Sequence, residues 1–271
     1  MDINELKSHA LNIRRNIIKM VYNAQSGHPG GSLGCADILT YLYFVEMDIN
    51  NNNKATIDRD RFVLSKGHCS PALYATLSEA GLIDEDLLSF RKLHTKLQGH
   101  PNMNMLEAVD MSTGSLGQGI SAAVGMAIAN KLDNNDHRIY VLCGDGESEE
   151  GIVYEALMAA CHYKLDDLCI IFDVNHLQID GNVQDVISPL PLEDKAKAFG
   201  AYVEKCDGND YEALQKAFNA ARNNKGKPTV IIAETIKGKG VSYMENNAAW
   251  HGSAPKEEDY KIAMEDLKEL N

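Results

Sequence analysis

The chain has 271 residues, of which 44% are hydrophobic and 24% are charged, a composition typical of one or two folded, soluble domains. Its 26 basic and 39 acidic residues give a net charge of −13, which argues against non-specific binding to nucleic acid or to an anionic membrane. The sequence has no signal-peptide core, no run of about 18 apolar residues and no C-x-x-C pair among its six cysteines. We therefore expect a cytoplasmic protein without membrane spans, with Cys143 and Cys169 as small buried residues rather than disulfide partners.

The first half of the chain predicts helices joined by loops. Apolar residues recur at helical spacing from residue 3 to residue 20. The basic residues of this helix, Arg14, Arg15 and Lys19, are expected to face solvent. The further elements predicted in this half are a glycine-rich loop (26–34), a helix running to Tyr43, a surface loop (48–60), a strand (61–65), a helix that stops at Gly81 and a small-residue helix (120–132).

Three later segments predict buried parallel strands. They cover residues 138–143, 168–174 and 229–235, and their apolar residues run continuously, as in strands that are covered on both faces. Helical stretches at 147–163, 191–200 and 211–224 separate them. This alternation predicts an α/β fold with a parallel sheet and helices on both faces. Because no linker or repeat interrupts the pattern, we expect residues 1–271 to form a single domain.

Two of these strands end in residues suited to a cation and a phosphate. Gly144-Asp145-Gly146 follows the first strand, and Asn175 follows the second. Ligands of parallel sheets bind at the carboxyl ends of the strands, where glycines and a helix N-terminus can meet an anion. Asp145 fits such a site if it holds a divalent cation such as Mg²⁺ that bridges to phosphate oxygens. Either motif alone is usually an ordinary turn, so the prediction depends on the pair.

The same pair resembles the thiamine diphosphate-binding signature, in which GDG is followed by Asn-Asn. Here Val174 replaces the first Asn, as is common in transketolases. Further segments resemble the diphosphate-binding part of the transketolase family, in order and over nearly the whole chain: SGHPGGSLG (26–34), LSKGHCSPALYATL (64–77), GHPN (99–102), STGSLGQGISAAVGMAIA (112–129), GDGESEEG (144–151), DVNHLQIDG (173–181), TIKGKG (235–240) and WHG (250–252).

The resemblance implies roles for individual residues. The implied metal ligands, for Mg²⁺ or else Ca²⁺ or Mn²⁺, are Asp145, Asn175 and the carbonyl of Leu177. The groups implied around the diphosphate are His68, Gly146, Lys237 and His251. The backbone of Gly114, Ser115 and Leu116 would contact the aminopyrimidine region, and Glu150 would be a buried carboxylate at a subunit interface beside the cofactor. The histidines implied around the reactive carbon and the sugar are His28, His100 and His251, and imidazoles suit this position because they exchange protons near neutral pH.

Other polar and glycine residues have simpler interpretations. The segment 114–119 is neither a P-loop nor a dinucleotide fingerprint, and helix packing alone could explain Gly119 and Gly125. Glu147 and Glu149 are expected on a solvated helix face near a helix N-terminus. The remaining histidines are expected to be surface or structural residues: His9, His94, His137, His162 and His176.

The resemblance covers only the first domain of a full-length transketolase. The glutamate that activates the cofactor, the aromatic pocket for its pyrimidine ring and most sugar-phosphate contacts belong to a second domain, which no segment here resembles. The chain begins with Met and ends in a helical segment (265–271), so we expect a natural subunit. The implied function is transfer of a two-carbon ketol unit from a ketose phosphate to an aldose phosphate, in the pentose phosphate pathway, together with a separate C-terminal subunit in an α2β2 assembly.

Two alternatives remain open at this point. One is a subunit of a related thiamine diphosphate enzyme similar to 1-deoxyxylulose-5-phosphate synthase, although His100 and the WHG segment favour transketolase. The other is a non-catalytic homologue that keeps the fold. The surface expected to meet a partner is the small-residue segment 113–129 together with the helix 147–163.

Overall fold

The computed structural model describes residues 1–268, so residues 269–271, the end of the predicted C-terminal helical segment, lie outside the described part. The helices are α1 (Ile3–Ala24), α2 (Pro29–Gly34), α3 (Ala36–Tyr41), α4 (Ser70–Glu79), α5 (Gln118–Leu132), α6 (Gly151–His162), α7 (Val183–Val186), α8 (Leu192–Phe199), α9 (Tyr211–Asn223) and α10 (Glu257–Asp266). The strands are β1 (Arg61–Leu64), β2 (Ile139–Gly144), β3 (Leu168–Val174), β4 (Leu177–Gln178), β5 (Gly181–Asn182), β6 (Tyr202–Asp207) and β7 (Thr229–Glu234).

The main sheet has five parallel strands in the order β1-β2-β3-β7-β6. Successive side chains of β2 enter different cores: Tyr140 and Leu142 pack with α1, α3, α4 and α9, whereas Val141 and Cys143 pack with α5, α6 and α8. The sheet is therefore covered by helices on both faces, which confirms the predicted α/β fold. The continuous apolar runs of β2 and β3 are explained by this double burial.

The edge strand β6 was not predicted from the sequence. It pairs only with β7, and its residues are half-buried or exposed, including the charged pair Glu204 and Lys205. Charged residues are common on edge strands because they discourage pairing with another chain. The same charges removed the apolar run by which the central strands were recognised.

One side chain of α1 does not face solvent as predicted. Asp2 and Glu5 form a capping box that starts the helix, but Arg14 is only 4% exposed. Its guanidinium donates to both carboxylate oxygens of Asp37, at 3.1 and 2.6 Å, and Asp37 also accepts from Tyr211. The helical spacing of charges could not reveal this partner, because Asp37 belongs to α3.

The glycine-rich segment 26–34, predicted as a loop, contains the short helix α2. Pro29 occupies the first turn, where its missing N–H costs nothing. A Cβ on Gly30 would lie 2.8 Å from the Trp250 carbonyl oxygen, and one on Gly34 would lie 3.0 Å from the Ile236 carbonyl oxygen. The glycines are thus explained by close packing of α2 against the segments that carry Lys237 and His251.

The cysteines and helices agree with the other expectations from composition. Cys143 and Cys169 are buried, and all six cysteines are free thiols. Within residues 1–268, no helix combines the length and the apolar character that crossing a bilayer requires.

Candidate cofactor site

The carboxyl ends of three strands meet at one edge of the sheet. Gly144 of β2 is paired with Asp173 of β3, and Val174 of β3 is paired with Glu234 of β7, so the strands end at nearly the same level. A cavity of about 300 Å³ opens at this edge. It is lined by His28, Gly31, Lys66, His68, Gly114, Leu116, Gly144, Asp145, Gly146, Glu147, Asn175, Leu177, Gln178, Ile179, Lys237 and His251. Most of the predicted site residues are therefore brought together in one place.

Asp145 ties two of the strand ends together. Its Oδ1 accepts from the backbone N–H of Gly146 at 2.8 Å, and its Oδ2 accepts from the N–H of Asn175 at 2.9 Å. The side chain is nearly fully buried, and burial together with the charge of Asp173 raises the pKa of Asp145 to about 6. A neighbouring cation would favour the ionised form of this carboxyl group.

The oxygens near Asp145 suit a hard cation. The Oδ1 of Asn175 accepts from the Leu177 N–H at 3.2 Å, and the Leu177 carbonyl accepts from Lys237 at 2.7 Å, so this turn is held in place. Among residues 1–268 there is no cluster of three His, Cys, Asp or Glu side chains that could hold a metal. A cation here would take one carboxylate, one amide oxygen and one carbonyl, a set that leaves positions for phosphate oxygens and fits Mg²⁺ better than Zn²⁺.

Lys237 is a buried cation beside this turn. It is 2% exposed, and its Nζ contacts the Leu177 carbonyl and, at 2.9 Å, the Nδ1 of His251. In the described part of the chain no carboxylate lies within salt-bridge distance of it. Burial, followed by the charge of Lys66, lowers the pKa of Lys237 to about 8. An anionic ligand would restore its full charge, so this residue fits a phosphate group.

Three histidines form the opposite wall of the cavity. The ring centroids of His28, His68 and His251 lie 5.1 to 5.6 Å apart. Burial first, then the charge of Lys237, lowers the pKa of His251 to about 3, and burial lowers that of His28 to about 4. The Nδ1 of His28 is buried without a hydrogen-bond partner among the described residues. Neutral rings with an unpaired nitrogen are suited to accept or donate a proton to a bound ligand.

Three of the implied residues do not line the cavity. His100 is exposed, and its ring packs on Gly114, where a Cβ would lie 2.9 Å from His100 Cδ2. Ser115 is exposed between Gly114 and Leu116, which do line it. Glu150, expected to be buried, is exposed on this chain, because it precedes α6 at the surface where only its side-chain stem approaches Gly117.

Sequence reasoning missed Glu147. It was expected on a solvated face, but it is 3% exposed and lines the cavity. Its Oε1 accepts from the Ser65 hydroxyl and, at 2.8 Å, from the Gly117 N–H, and its Oε2 accepts from the Gly144 N–H at 2.9 Å. The carboxylate thus joins the ends of β1 and β2 to the start of α5. Its position directly after GDG, on a strand end, was the available signal.

A buried ion pair below the cavity was also missed. Lys66 Nζ contacts the carboxylate of Asp173, whose other oxygen accepts from the Thr235 hydroxyl. Both charged groups are at most 2% exposed. By contrast His176, next to the metal turn, is exposed and contacts Glu234 at 2.8 Å, in agreement with its predicted surface role.

The fold and the site define a class of protein: an α/β protein that binds an anionic ligand or cofactor at the carboxyl edge of its sheet. A family model described as the transketolase thiamine diphosphate binding domain matches residues 6–268. The chain belongs to the transketolase family and corresponds to its N-terminal, thiamine diphosphate-binding part. The predicted resemblance, and the prediction of an enzyme subunit, are confirmed.

Relatives of two lengths are similar to this chain. It is 41% identical to one of the named subunits of the apulose-4-phosphate transketolase of Phocaeicola vulgatus, covering 99% of this chain and 96% of that protein. It is 42% identical to the 6-deoxy-6-sulfo-D-fructose transketolase subunit SqwG of a Clostridium species, covering 97% of this chain and 96% of that protein. The structure of transketolase from Campylobacter jejuni superposes with a TM-score of 0.92 at 40% identity, covering 98% of this chain but 43% of that one.

Proposed function

We propose that this chain is the diphosphate-binding subunit of a two-chain transketolase, which transfers a two-carbon ketol unit from a ketose phosphate to an aldose phosphate. The observation that carries the proposal is the convergence in one cavity of hard oxygen ligands, a buried lysine without a carboxylate partner and three histidines. Full-length coverage of the two subunit relatives supports a separate partner chain.

Asp145, Asn175 and the Leu177 carbonyl would hold Mg²⁺, with Ca²⁺ or Mn²⁺ as substitutes. His68, Gly146 and Lys237 would hold the diphosphate, since Lys237 and the turn after β2 lie at the same strand ends as the cation ligands. Thiamine diphosphate supplies the electron sink that allows a carbon–carbon bond next to a ketone to break. The chain itself binds and orients the anionic end of the cofactor.

The histidines would handle protons on the sugar. His28 and His251 have low pKa values, so both rings are neutral at physiological pH and can accept a hydroxyl proton. His100 would bind the sugar from the rim of the cavity, since its ring packs on Gly114 outside the lining. A second contact of His251, with Lys237, would connect proton transfer with the diphosphate end of the site.

The partner would be a C-terminal subunit that carries the pyrimidine-binding domain, in an α2β2 assembly. Its contact surface would be formed by residues 113–129 and 147–163, where the large side chain of Met158 is 57% exposed and where a Cβ on Gly125 or Gly151 would meet no neighbouring atom. Gly114, Ser115 and Leu116 would meet the pyrimidine end of the cofactor there, and Glu150 would become buried. Small, apolar surfaces of this kind suit close subunit contact.

The remaining proposals concern context. The free cysteines support a reducing, cytoplasmic location, and the residues 1–271 would act as a single cofactor-binding domain. The relatives are named for apulose-4-phosphate and 6-deoxy-6-sulfo-D-fructose, so sugar phosphates and related anionic sugars are the proposed substrate class. A place in the pentose phosphate pathway stays a prediction.

The test is an assay of ketol transfer with thiamine diphosphate and Mg²⁺, with and without a candidate C-terminal subunit. We expect no turnover from this chain alone and turnover when the two chains are mixed. The chain carrying Asp145→Ala, mixed with the same partner, is the control for adventitious activity. Robust turnover by the isolated chain would contradict the need for a partner.

A further inference from the structure

A half-buried arginine joins the two turns that carry His28 and His100. The Nη1 of Arg91 donates to the Ser26 hydroxyl at 3.1 Å, and its Nη2 donates to the Gly99 carbonyl at 3.4 Å. Ser26 lies two residues before His28, and Gly99 lies directly before His100. One planar guanidinium therefore contacts both turns, although they are far apart in the sequence.

Close packing fixes the guanidinium in this position. A Cβ on Gly99 would lie 2.9 Å from Arg91 Cζ, so only glycine leaves room for it. The ring of the preceding residue, Phe90, is fully buried and would lie 3.3 Å from a Cβ on Gly27, directly before His28. The backbone of Arg91 has a φ of +61°, a costly conformation for a side-chain-bearing residue, and persists where surrounding contacts enforce it.

The charge of Arg91 is not neutralised within the described part of the protein. No salt bridge to it occurs among residues 1–268. Its Nε is buried without a hydrogen-bond partner there, and burial lowers the pKa of the guanidinium. An unpaired cation close to imidazole rings opposes their protonation.

Both histidines respond to this charge. The groups that face His28 are His68, Cys69, Arg91, His100 and His251. Burial and then His68 lower the pKa of His28, with Arg91 and His100 acting in the same direction and Cys69 in the opposite one. For His100, burial again lowers the pKa most, followed by Arg91 and His68, and Cys69 opposes them. Arg91 is thus the arginine that acts on both rings.

We propose that Arg91 is a positioning residue for the reaction, whose guanidinium fixes the turns that precede His28 and His100 and directs an unneutralised positive charge at both rings. The inference rests on the proposed function for the roles of the two histidines. A neutral imidazole can accept a proton from a sugar hydroxyl, whereas a protonated one cannot. Lysine would supply the charge but not the planar fork that reaches both turns.

The first test is a titration of the full-length chain without partner or cofactor. The Cε1–Hε1 resonances of the histidines are followed by NMR from about pH 8 to about pH 4, and His28→Asn and His100→Asn assign the two signals. We expect Arg91→Gln to raise both midpoints by about 0.5 pH units or more, the effect of one nearby charge. Arg91→Lys should leave them near the wild-type values. The control, Lys92→Gln, removes the same charge from the exposed neighbouring residue and should shift neither.

The second test uses the enzyme assembled with its partner. Arg91→Lys should lower kcat about tenfold or more with thiamine diphosphate affinity nearly unchanged, because the turns lose their common contact. Wild-type kcat in Arg91→Lys would overturn the positioning role, and unchanged midpoints in Arg91→Gln would overturn the electrostatic one. If the wild-type assembly shows no ketol transfer, the proposed function fails, while the titration of the isolated chain still decides whether Arg91 acts on both histidines.

Discussion

The two walls of the cavity are built in different ways. On one wall, Asp145, Asn175 and Lys237 follow strands of the sheet directly, and their polar atoms are bonded to neighbouring backbone. On the other, His28 and His251 belong to segments outside the sheet, and an arginine and close glycine packing hold His28 and His100. The sheet itself thus provides the anion-holding wall, whereas the proton-handling wall depends on separately held turns.

The largest effect is expected at the strand-end wall. Replacing Asp145 by Ala should weaken Mg²⁺-dependent binding of thiamine diphosphate more than about 100-fold, since a direct ligand should matter more than groups that only orient ligands. Calorimetry on the assembled enzyme measures this affinity. Asp145→Asn keeps an acceptor for the backbone amides and separates loss of charge from loss of the turn. Asp180→Ala, at an exposed acid in the next turn, is the matched control; unchanged affinity in both Asp145 variants would remove this residue from the metal site.

A smaller and opposite pair of effects should distinguish the two walls by kinetics. His100→Ala should lower kcat/KM for the donor sugar about 100-fold with cofactor affinity nearly kept, because His100 lies outside the cavity lining. His68→Ala should weaken the cofactor about tenfold first, as loss of a charge-assisted contact to phosphate would. Steady-state rates and cofactor titrations on the same preparations measure both. The reverse pattern would show that the roles of the two histidines are exchanged.

The smallest effect concerns stability against acid. The pKa of His28 is about 4 in the fold, below its ordinary value of about 6.5, so the unfolded chain binds the proton more readily. The stability associated with the neutral ring is fully present above about pH 6.5 and is lost as the pH falls towards about 4. In urea unfolding of the isolated chain, the free energy difference between wild type and His28→Asn should shrink over this range. His162→Asn, at an exposed histidine, should show no such trend; a pH-independent difference for His28→Asn would contradict the neutral buried ring.

The strand-end wall could be predicted from physical rules. The apolar runs of β2 and β3 identified buried parallel strands, and the edge at which such strands end is where ligands bind. That Asp145 and Asn175 lie side by side follows from adjacent strands, which the sheet has. The histidine wall could not be predicted in this way. His28, His68 and His251 share no spacing, and only the resemblance to a family placed them together.

The errors have a common physical origin. Arg14 and Glu147 were expected in solvent because charged side chains usually are, and neither has its partner within its own helix. Each is buried because fixed groups elsewhere in the chain satisfy it: Asp37 for Arg14, and backbone amides at two turns for Glu147. Such compensation depends on tertiary structure, which local patterns do not contain.

The position of β7 has a consequence for how the protein reaches its native state. β7 lies between β3 and β6 in the sheet, although it follows β6 in the chain. During synthesis, β6 therefore has no strand to join until the later residues have been made, and Lys237 arrives directly after them. Non-local pairings of this kind are slow steps in folding. Binding of an anionic ligand at this edge would accordingly signal that the last central strand has been inserted, and would stabilise the completed sheet over every earlier intermediate.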